Sequence, residues 1–319
     1  MQQTKDDQML RFDGRVAVVT GAGRGLGRAY AMLLADRGAS VVVNDLGVHR
    51  DGTDAGEDRA GAVVKEIEAA GGIAVACRDS VATRAGGTAI VGAALEHFGR
   101  VDIVVSSAGP IGGVAFGDVT DDDLDLYLGS HLRGAFHVIQ PAWKHMLEQA
   151  YGRIVIVTSQ AILGSPGTTP YASAKGGLLG LTKAISMETP GTGVLVNAVM
   201  PSANTPGTEG MGTPAFTEWF SHFTPELVAP AVGYLAHESC VWNGETIVAG
   251  AGRAARLFLA TTKGIYDPEL TLEDVAARTE EIVDTSRGYD ASSSAMEDLG
   301  LWCEHLPFPD TGDQMAWSS

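Results

Sequence analysis

Seven short apolar runs, rich in Val and Ile, constrain the fold of this chain more than any other feature of it. They are RVAVVT (15–20), SVVVN (40–44), IAVAC (73–77), VDIVVS (101–106), RIVIVT (153–158), VLVNAV (194–199) and ETIVA (245–249). Their near-continuous apolar character, in place of strict alternation, is that of parallel strands covered on both faces. Helical patterns over 25–37, 57–70, 83–98, 122–149, 171–188 and 225–237 separate them. This alternation predicts an α/β fold, a Rossmann-type doubly wound parallel sheet of seven strands with helices on both faces.

Such a sheet accounts for residues 14–262 as one domain, leaving 1–13 as an N-terminal tail and 263–319 as a C-terminal extension. The extension opens with Thr271 as an N-cap ahead of an acidic first turn, so a helix is expected over 271–283. Beyond it, Leu299, Leu301, Trp302, Leu306, Phe308 and Trp317 need apolar surface to cover them. Two readings fit: a lid over a substrate pocket, or a brace for an oligomer. A chain of 319 residues, 45% apolar, buries a full core without staples. Its net charge of −17 argues against a nucleic-acid or anionic-membrane partner. No stretch is apolar enough for a signal or a membrane span, which points to a cytoplasmic protein. Cys77, Cys240 and Cys303 are too scattered for a disulfide frame or a zinc site, so reduced thiols and no metal are expected.

The first strand runs straight into TGAGRGLG (20–27) and then into helix. Gly21 permits a tight turn, Gly25 lets backbone approach a diphosphate, and Gly27 allows helix to pack closely on strand. The helix start presents free amides and a positive dipole end to the phosphates. The second strand ends in Asp45, where a carboxylate can grip both adenosine ribose hydroxyls and repel a 2′-phosphate. The cofactor expected is therefore NAD in preference to NADP, although Asp45 also makes good turn chemistry.

The fifth strand ends in Thr158-Ser159, and YASAK (171–175) follows a dozen residues later. On a helix Tyr171 and Lys175 share a face one turn apart. An ammonium about 4 Å away would favour the phenolate by up to about 4 kcal/mol at an effective dielectric near 20. Tyr171 could then take a proton from an alcohol while hydride leaves its carbon. Ser159 would hold the substrate oxygen.

TGAGRGLG, Asp45, SAG at 107–109, Ser159, YASAK and VNAVMP (196–201) resemble the short-chain dehydrogenase/reductase family in order and spacing, over residues 14–260. Within it, VVVNDLG, HLRGAF (131–136) and 234–252 resemble the branch of (3R)-hydroxyacyl-CoA and hydroxysteroid dehydrogenases. The resemblance implies catalytic Ser159, Tyr171, Lys175 and His131. It also implies cofactor contacts from Gly21, Arg24, Gly25, Leu26, Gly27 and Asp45, and from Asp79 and Ser80 beside adenine. Ser107, Ala108 and Gly109 would pack on adenosine, Lys175 would hold the nicotinamide ribose with Tyr171 beside it, and Pro201 and Thr205 would lie near the nicotinamide.

Four positions depart from the family pattern. Asn-Asn-Ala-Gly reads Ser106 to Gly109, and Pro-Gly reads Pro201-Ser202. The relay Asn is His131, which either works through water or backbone or packs as an interior histidine. The hydroxyl at the usual separation from Tyr171 is Thr158, with Ser159 one residue nearer, so either could serve. The implied activity is interconversion of a secondary alcohol and a ketone on a bulky hydrophobic substrate: a hydroxysteroid, a terpenoid alcohol or a 3-hydroxyacyl thioester. Phe216, Trp219, Phe220 and Phe223 are expected to cover it. The family also implies a homo-oligomer, a tetramer packed through 122–149 and 171–188. A nicotinamide-binding regulatory protein is the alternative, against which the intact Ser159, Tyr171 and Lys175 speak.

Overall fold

The structure, a computed structural model, describes residues 9–48, 53, 56–206, 208 and 212–305. It divides into two compact units between Leu257 and Phe258. In the first, β1 (Val16–Thr20), α1 (Gly25–Asp36), β2 (Ser40–Asn44), α2 (Arg59–Ala69), β3 (Ile73–Cys77), α3 (Arg84–Phe98) and β4 (Ile103–Ser106) form one half. The other half is α4 (Asp121–Tyr127), α5 (Gly134–Glu148), β5 (Gly152–Val157), α6 (Thr169–Met187), β6 (Val194–Pro201), α7 (Pro214–Phe220), α8 (Ala229–Ala236), β7 (Thr246–Gly250) and β8 (Arg253–Leu257).

The strands lie in the order β3-β2-β1-β4-β5-β6-β7-β8. Period-two alternation sends Val19, Val43, Val105 and Val155 to one face, against Leu34, Val63 and Val232. Val18, Val42, Val104 and Ile154 go to the other face, against Ile90, Ile139 and Leu178. A sheet buried on both sides explains why its strands read as unbroken apolar runs.

Among the described residues this sheet has eight strands, not the seven expected. β7 turns back through Ala251 and Gly252, both at positive φ (47° and 78°), into antiparallel β8. Two positive φ values suit a two-residue hairpin. β8 reads RAARL and is mostly exposed, so no apolar run announces it. A second correction concerns 122–149, expected as one helix: α4 and α5 are joined by a π-helical stretch, Leu128–Arg133. The N-terminal stretch is not all tail, because Phe12 is buried, its ring edge-on to His237 with the ring centres 5.2 Å apart.

In the second unit the expected helix over 271–283 is split in two. β9 (Thr261–Thr262) leads to α9 (Leu272–Ala277), which Thr271 caps reciprocally with Asp274, and to α10 (Thr279–Val283). β10 (Tyr289–Asp290) pairs antiparallel with β9, and α11 (Ala295–Gly300) starts at the Ser294 cap. Leu306, Phe308 and Trp317 lie outside the described residues. No helix among the described residues is long and apolar enough to cross a membrane.

Candidate active site

The strand order reverses between β1 and β4, which opens a crevice beyond the carboxyl ends of those strands. A cavity of about 400 Å³ lies there. Its floor is the turn from β1 to α1, where Gly21, Arg24, Gly25, Leu26 and Gly27 line the wall. A Cβ on Gly27 would stand 2.2 Å from the Gly21 carbonyl oxygen, so only glycine lets α1 start this close to β1. The α1 start carries no side-chain cap, which leaves its first amides directed at the cavity floor.

Asp45, Asp79 and Ser80 line the cavity from the ends of β2 and β3. The two oxygens of Asp45 accept the Gly23 amide at 2.9 Å and the Gly47 amide at 2.8 Å. Asn44 ties these strand ends together, its Nδ2 donating to the carbonyls of Cys77 and Asp79. Ser107, Ala108 and Gly109 form the next wall. Thr20 Oγ1 accepts the Ser107 and Ala108 amides at 3.0 and 3.1 Å, so this backbone is held without the usual Asn pair. Sequence reading missed Thr20, Asn44 and the lining side chains Val48 and Arg59, whose patterns are those of ordinary strand ends and helix starts. Arg59 donates to the Val48 carbonyl at 2.7 Å.

At the far end α6 brings Tyr171 and Lys175 to the wall, both buried. Ser159 hydrogen-bonds the Tyr171 hydroxyl, while its own Oγ accepts the Ala161 amide at 3.2 Å. Thr158 Oγ1 instead donates to the Lys175 carbonyl at 2.9 Å. The two candidates differ in their partners: the Thr158 hydroxyl donates to the helix backbone, whereas Ser159 acts on the Tyr171 hydroxyl. Lys175 Nζ donates to the Val157 carbonyl at 2.7 Å and stands 5.7 Å from the centre of the Tyr171 ring.

His131 lines the same corner from the π-helical stretch. Its Nε2 lies 2.9 Å from the Pro110 carbonyl, and its ring meets the Tyr171 ring edge-on at 5.2 Å. The imidazole fills the space beside Gly109, where a Cβ would come within 2.1 Å of it. Thr205 lines the cavity beside Gly25, nearer the glycine turn than the reactive corner. Pro201, paired with Ala249 in the sheet, is not in the cavity wall, and neither is Ser159.

Burial sets the charges of this corner. It holds the Tyr171 hydroxyl above the usual tyrosine range, and the Ser159 bond draws it partly back. It pushes the Lys175 ammonium down to about 7. It keeps His131 neutral well below the usual imidazole range, an effect that Lys175 reinforces. The close ammonium that helical spacing suggested for Tyr171 is thus replaced by a weakly charged lysine turned to a carbonyl. Two buried polar atoms on the wall, Thr205 Oγ1 and His131 Nδ1, have no hydrogen-bond partner among the described residues. An elongated polar ligand anchored by backbone amides at one end fits these residues.

Residues 15–211 match the family described as short chain dehydrogenase. Over 274 residues the chain is 46% identical to a short-chain type dehydrogenase/reductase of Mycobacterium tuberculosis, covering 85% of this chain and 95% of that one. It is 41% identical over 290 residues to peroxisomal multifunctional enzyme type 2 of Drosophila melanogaster, covering 89% of this chain. It spans only 48% of that relative's length. The solved structure of that full-length Drosophila enzyme superposes with a TM-score of 0.76 at 36% identity, over 93% of this chain and 50% of that one. A 7α-hydroxysteroid dehydrogenase solved with NADH and 7-oxo glycochenodeoxycholic acid superposes with a TM-score of 0.68 at 29% identity, over 76% of this chain and 95% of that one. With the family match covering more than half of its length, the chain belongs to the short-chain dehydrogenases.

Proposed function

We propose that the chain is an NAD-dependent oxidoreductase that interconverts a secondary alcohol and a ketone on a bulky hydrophobic substrate. The observation that carries this reading is one cavity with an amide-lined glycine turn and Asp45 at one end and Tyr171, Lys175 and the Ser159-bonded hydroxyl at the other. NAD, when bound, supplies the acceptor for the hydride that leaves the carbinol carbon and adds a positive charge to the site. The chain's residues do the rest. Ser159 holds the substrate oxygen next to the Tyr171 hydroxyl. Tyr171 takes the alcohol proton as the C–H bond breaks, leaving a carbonyl, and returns it in reduction. Lys175 helps hold the nicotinamide ribose, and the neutral His131 fixes the backbone at Gly109 and Pro110.

The titration directions in this corner fit that division of labour. A raised Tyr171 keeps its proton in the protein alone and is poised as an acid for ketone reduction. Added positive charge nearby favours the phenolate and turns the same group into a base. The free, buried thiols Cys77 and Cys240 suit a reducing compartment such as the cytoplasm.

Turnover of a panel of steroid, terpenoid and 3-hydroxyacyl alcohols, followed by NADH absorbance, tests the reading; no turnover of any of them refutes it. The two hydroxyls at the end of β5 give a sharper result. Ser159→Ala should lower kcat by roughly 10²-fold or more, the range of a lost group acting in the transition state. Thr158→Ala should keep most of kcat, its cost falling on stability through the lost bond to Lys175. The reverse order would move the role to Thr158.

A homotetramer is part of the same proposal. Phe136 and Leu147 on α5 and Met187 on α6 are exposed apolar side chains on the helices expected to associate. Light scattering at micromolar concentration should report a multiple of the 33.2 kDa chain, and a monomer would contradict it.

A further inference from the structure

Three connections leave the carboxyl ends of β4, β5 and β6: 107–132, which carries His131, 158–174, which carries Tyr171, and 202–229. The first two touch, because a Cβ on Gly113 would strike the Gly167 carbonyl oxygen. The first and third also furnish cavity wall, the first through Ile111 and Leu126 and the third, nearer the glycine turn, through Thr205. The sequence of these loops is lopsided in charge. They hold eight carboxylates (Asp118, Asp121, Asp122, Asp123, Asp125, Glu209, Glu218 and Glu226) and not one Lys or Arg. Glu209 lies outside the described residues. The nearest arginine beyond the first loop, Arg133, is paired with Asp125 at 3.2 Å. Lys175 is buried and turned to the Val157 carbonyl.

Between the carboxylates the loops expose apolar side chains. Phe116 is 80% exposed, Leu163 69% and Trp219 56%, an expense in water that an apolar ligand would relieve. Trp219 belongs to a ring cluster with Phe216, Phe220 and Phe223. These connections are therefore greasy and negative, and the arginines that line the cavity, Arg24 and Arg59, stand at its glycine-turn end. A CoA thioester would bring its nucleotide end, with about four negative charges at neutral pH, to this entrance. Phosphate recognition needs Arg, Lys or helix-start amides. The only α-helix starting in the first loop, α4, carries Asp121, Asp122 and Asp123 in its first turn.

From this we infer that the site selects an uncharged apolar alcohol and discriminates against acyl-CoA. The inference rests on the proposed alcohol oxidation and narrows its substrate class.

The test compares one hydroxyacyl group on two carriers: 3-hydroxyoctanoyl-CoA and the neutral 3-hydroxyoctanoyl-N-acetylcysteamine thioester, with a decalin-type secondary alcohol as a third substrate. NADH formation is followed at about 10 mM and about 150 mM salt, where the screening length falls from roughly 30 to 8 Å. The neutral substrates should be used with a kcat/KM about tenfold or more above that of the CoA thioester at low salt. The gap should narrow with added salt, as it must if repulsion causes it. Asp121→Asn/Asp122→Asn, which leaves the Thr120–Asp123 cap intact, should raise kcat/KM for the CoA thioester several-fold and leave the neutral thioester unchanged. A CoA thioester that is preferred, and that loses efficiency with salt, would overturn the inference while upholding alcohol oxidation. No turnover of any of the three would overturn both.

Discussion

Tyr171→Phe should bind NAD as the unaltered protein does and lose at least 10²- to 10⁴-fold in kcat for alcohol oxidation, the usual contribution of a positioned acid or base. The variant is a narrow one. It removes a single oxygen, whose partner is Ser159, and keeps the ring that packs edge-on against His131 at 5.2 Å and Tyr127 at 6.1 Å. A buried ring of the same shape should preserve the corner, so a fall in rate reports chemistry and not collapse. Each tenfold loss corresponds to about 1.4 kcal/mol of transition-state stabilisation, giving roughly 3–5 kcal/mol for the hydroxyl. The loss should appear in kcat and kcat/KM together, because proton transfer belongs to the transition state and not to substrate binding. NAD affinity, read from quenching of tryptophan fluorescence, provides the control. Turnover within a few-fold of the unaltered protein would take Tyr171 out of the mechanism.

The scaffold of this site was readable in the sequence because its signals are local. A strand buried on both faces shows itself as an apolar run, and Gly21 and Gly27 of the first turn are demanded by close backbone contacts that a Cβ would not allow. What escaped depends on partners distant in the chain. β8 is a mostly exposed edge strand whose RAARL pattern carries no burial signal, and only the turn at Ala251-Gly252 announces it. The π-helical break at His131 cannot be seen in a helical periodicity that continues on both sides. Thr20 looks like an ordinary strand residue until two amides from the end of β4 converge on its hydroxyl. The choice between Thr158 and Ser159 was open because spacing counts residues, whereas the structure turns on which hydroxyl the Lys175 carbonyl has already taken. The charge state of the Tyr171 and Lys175 pair was missed for the same reason. Helical spacing sets how near the two groups can come, but burial, which opposes the charged form of each, is decided by everything packed around them.

NAD should be preferred over NADP by about a hundredfold in kcat/KM, and Asp45→Ser should erase at least tenfold of that preference. The carboxylate is locked in place: Oδ2 accepts the Gly23 amide, Oδ1 accepts the Gly47 amide, and a Cβ on Gly23 would come within 2.6 Å of its Cγ. A 2′-phosphate next to it would meet a fixed negative charge. At about 4 Å and an effective dielectric near 20 the repulsion is roughly 4 kcal/mol per unit charge, and partial exposure with salt screening brings it nearer to 3, which corresponds to about a hundredfold. Arg59 stands on the same wall, with its Cβ within 2.7 Å of the position a Gly23 Cβ would occupy. Its guanidinium is paired with Glu57 and donates to the Val48 carbonyl, both at 2.7 Å, so replacing Asp45 should raise NADP efficiency by removing the repulsion while NAD loses its ribose acceptor. A purely structural Asp45 predicts otherwise. Losing the acceptor for two amides would then lower stability by about 1–3 kcal/mol and weaken both cofactors alike. Side-by-side kinetics with NAD and NADP, paired with thermal melts of each variant, separate these outcomes. Equal efficiency with the two cofactors in the unaltered protein would remove Asp45 as the discriminator. An unchanged ratio in Asp45→Ser would assign it to the turn alone.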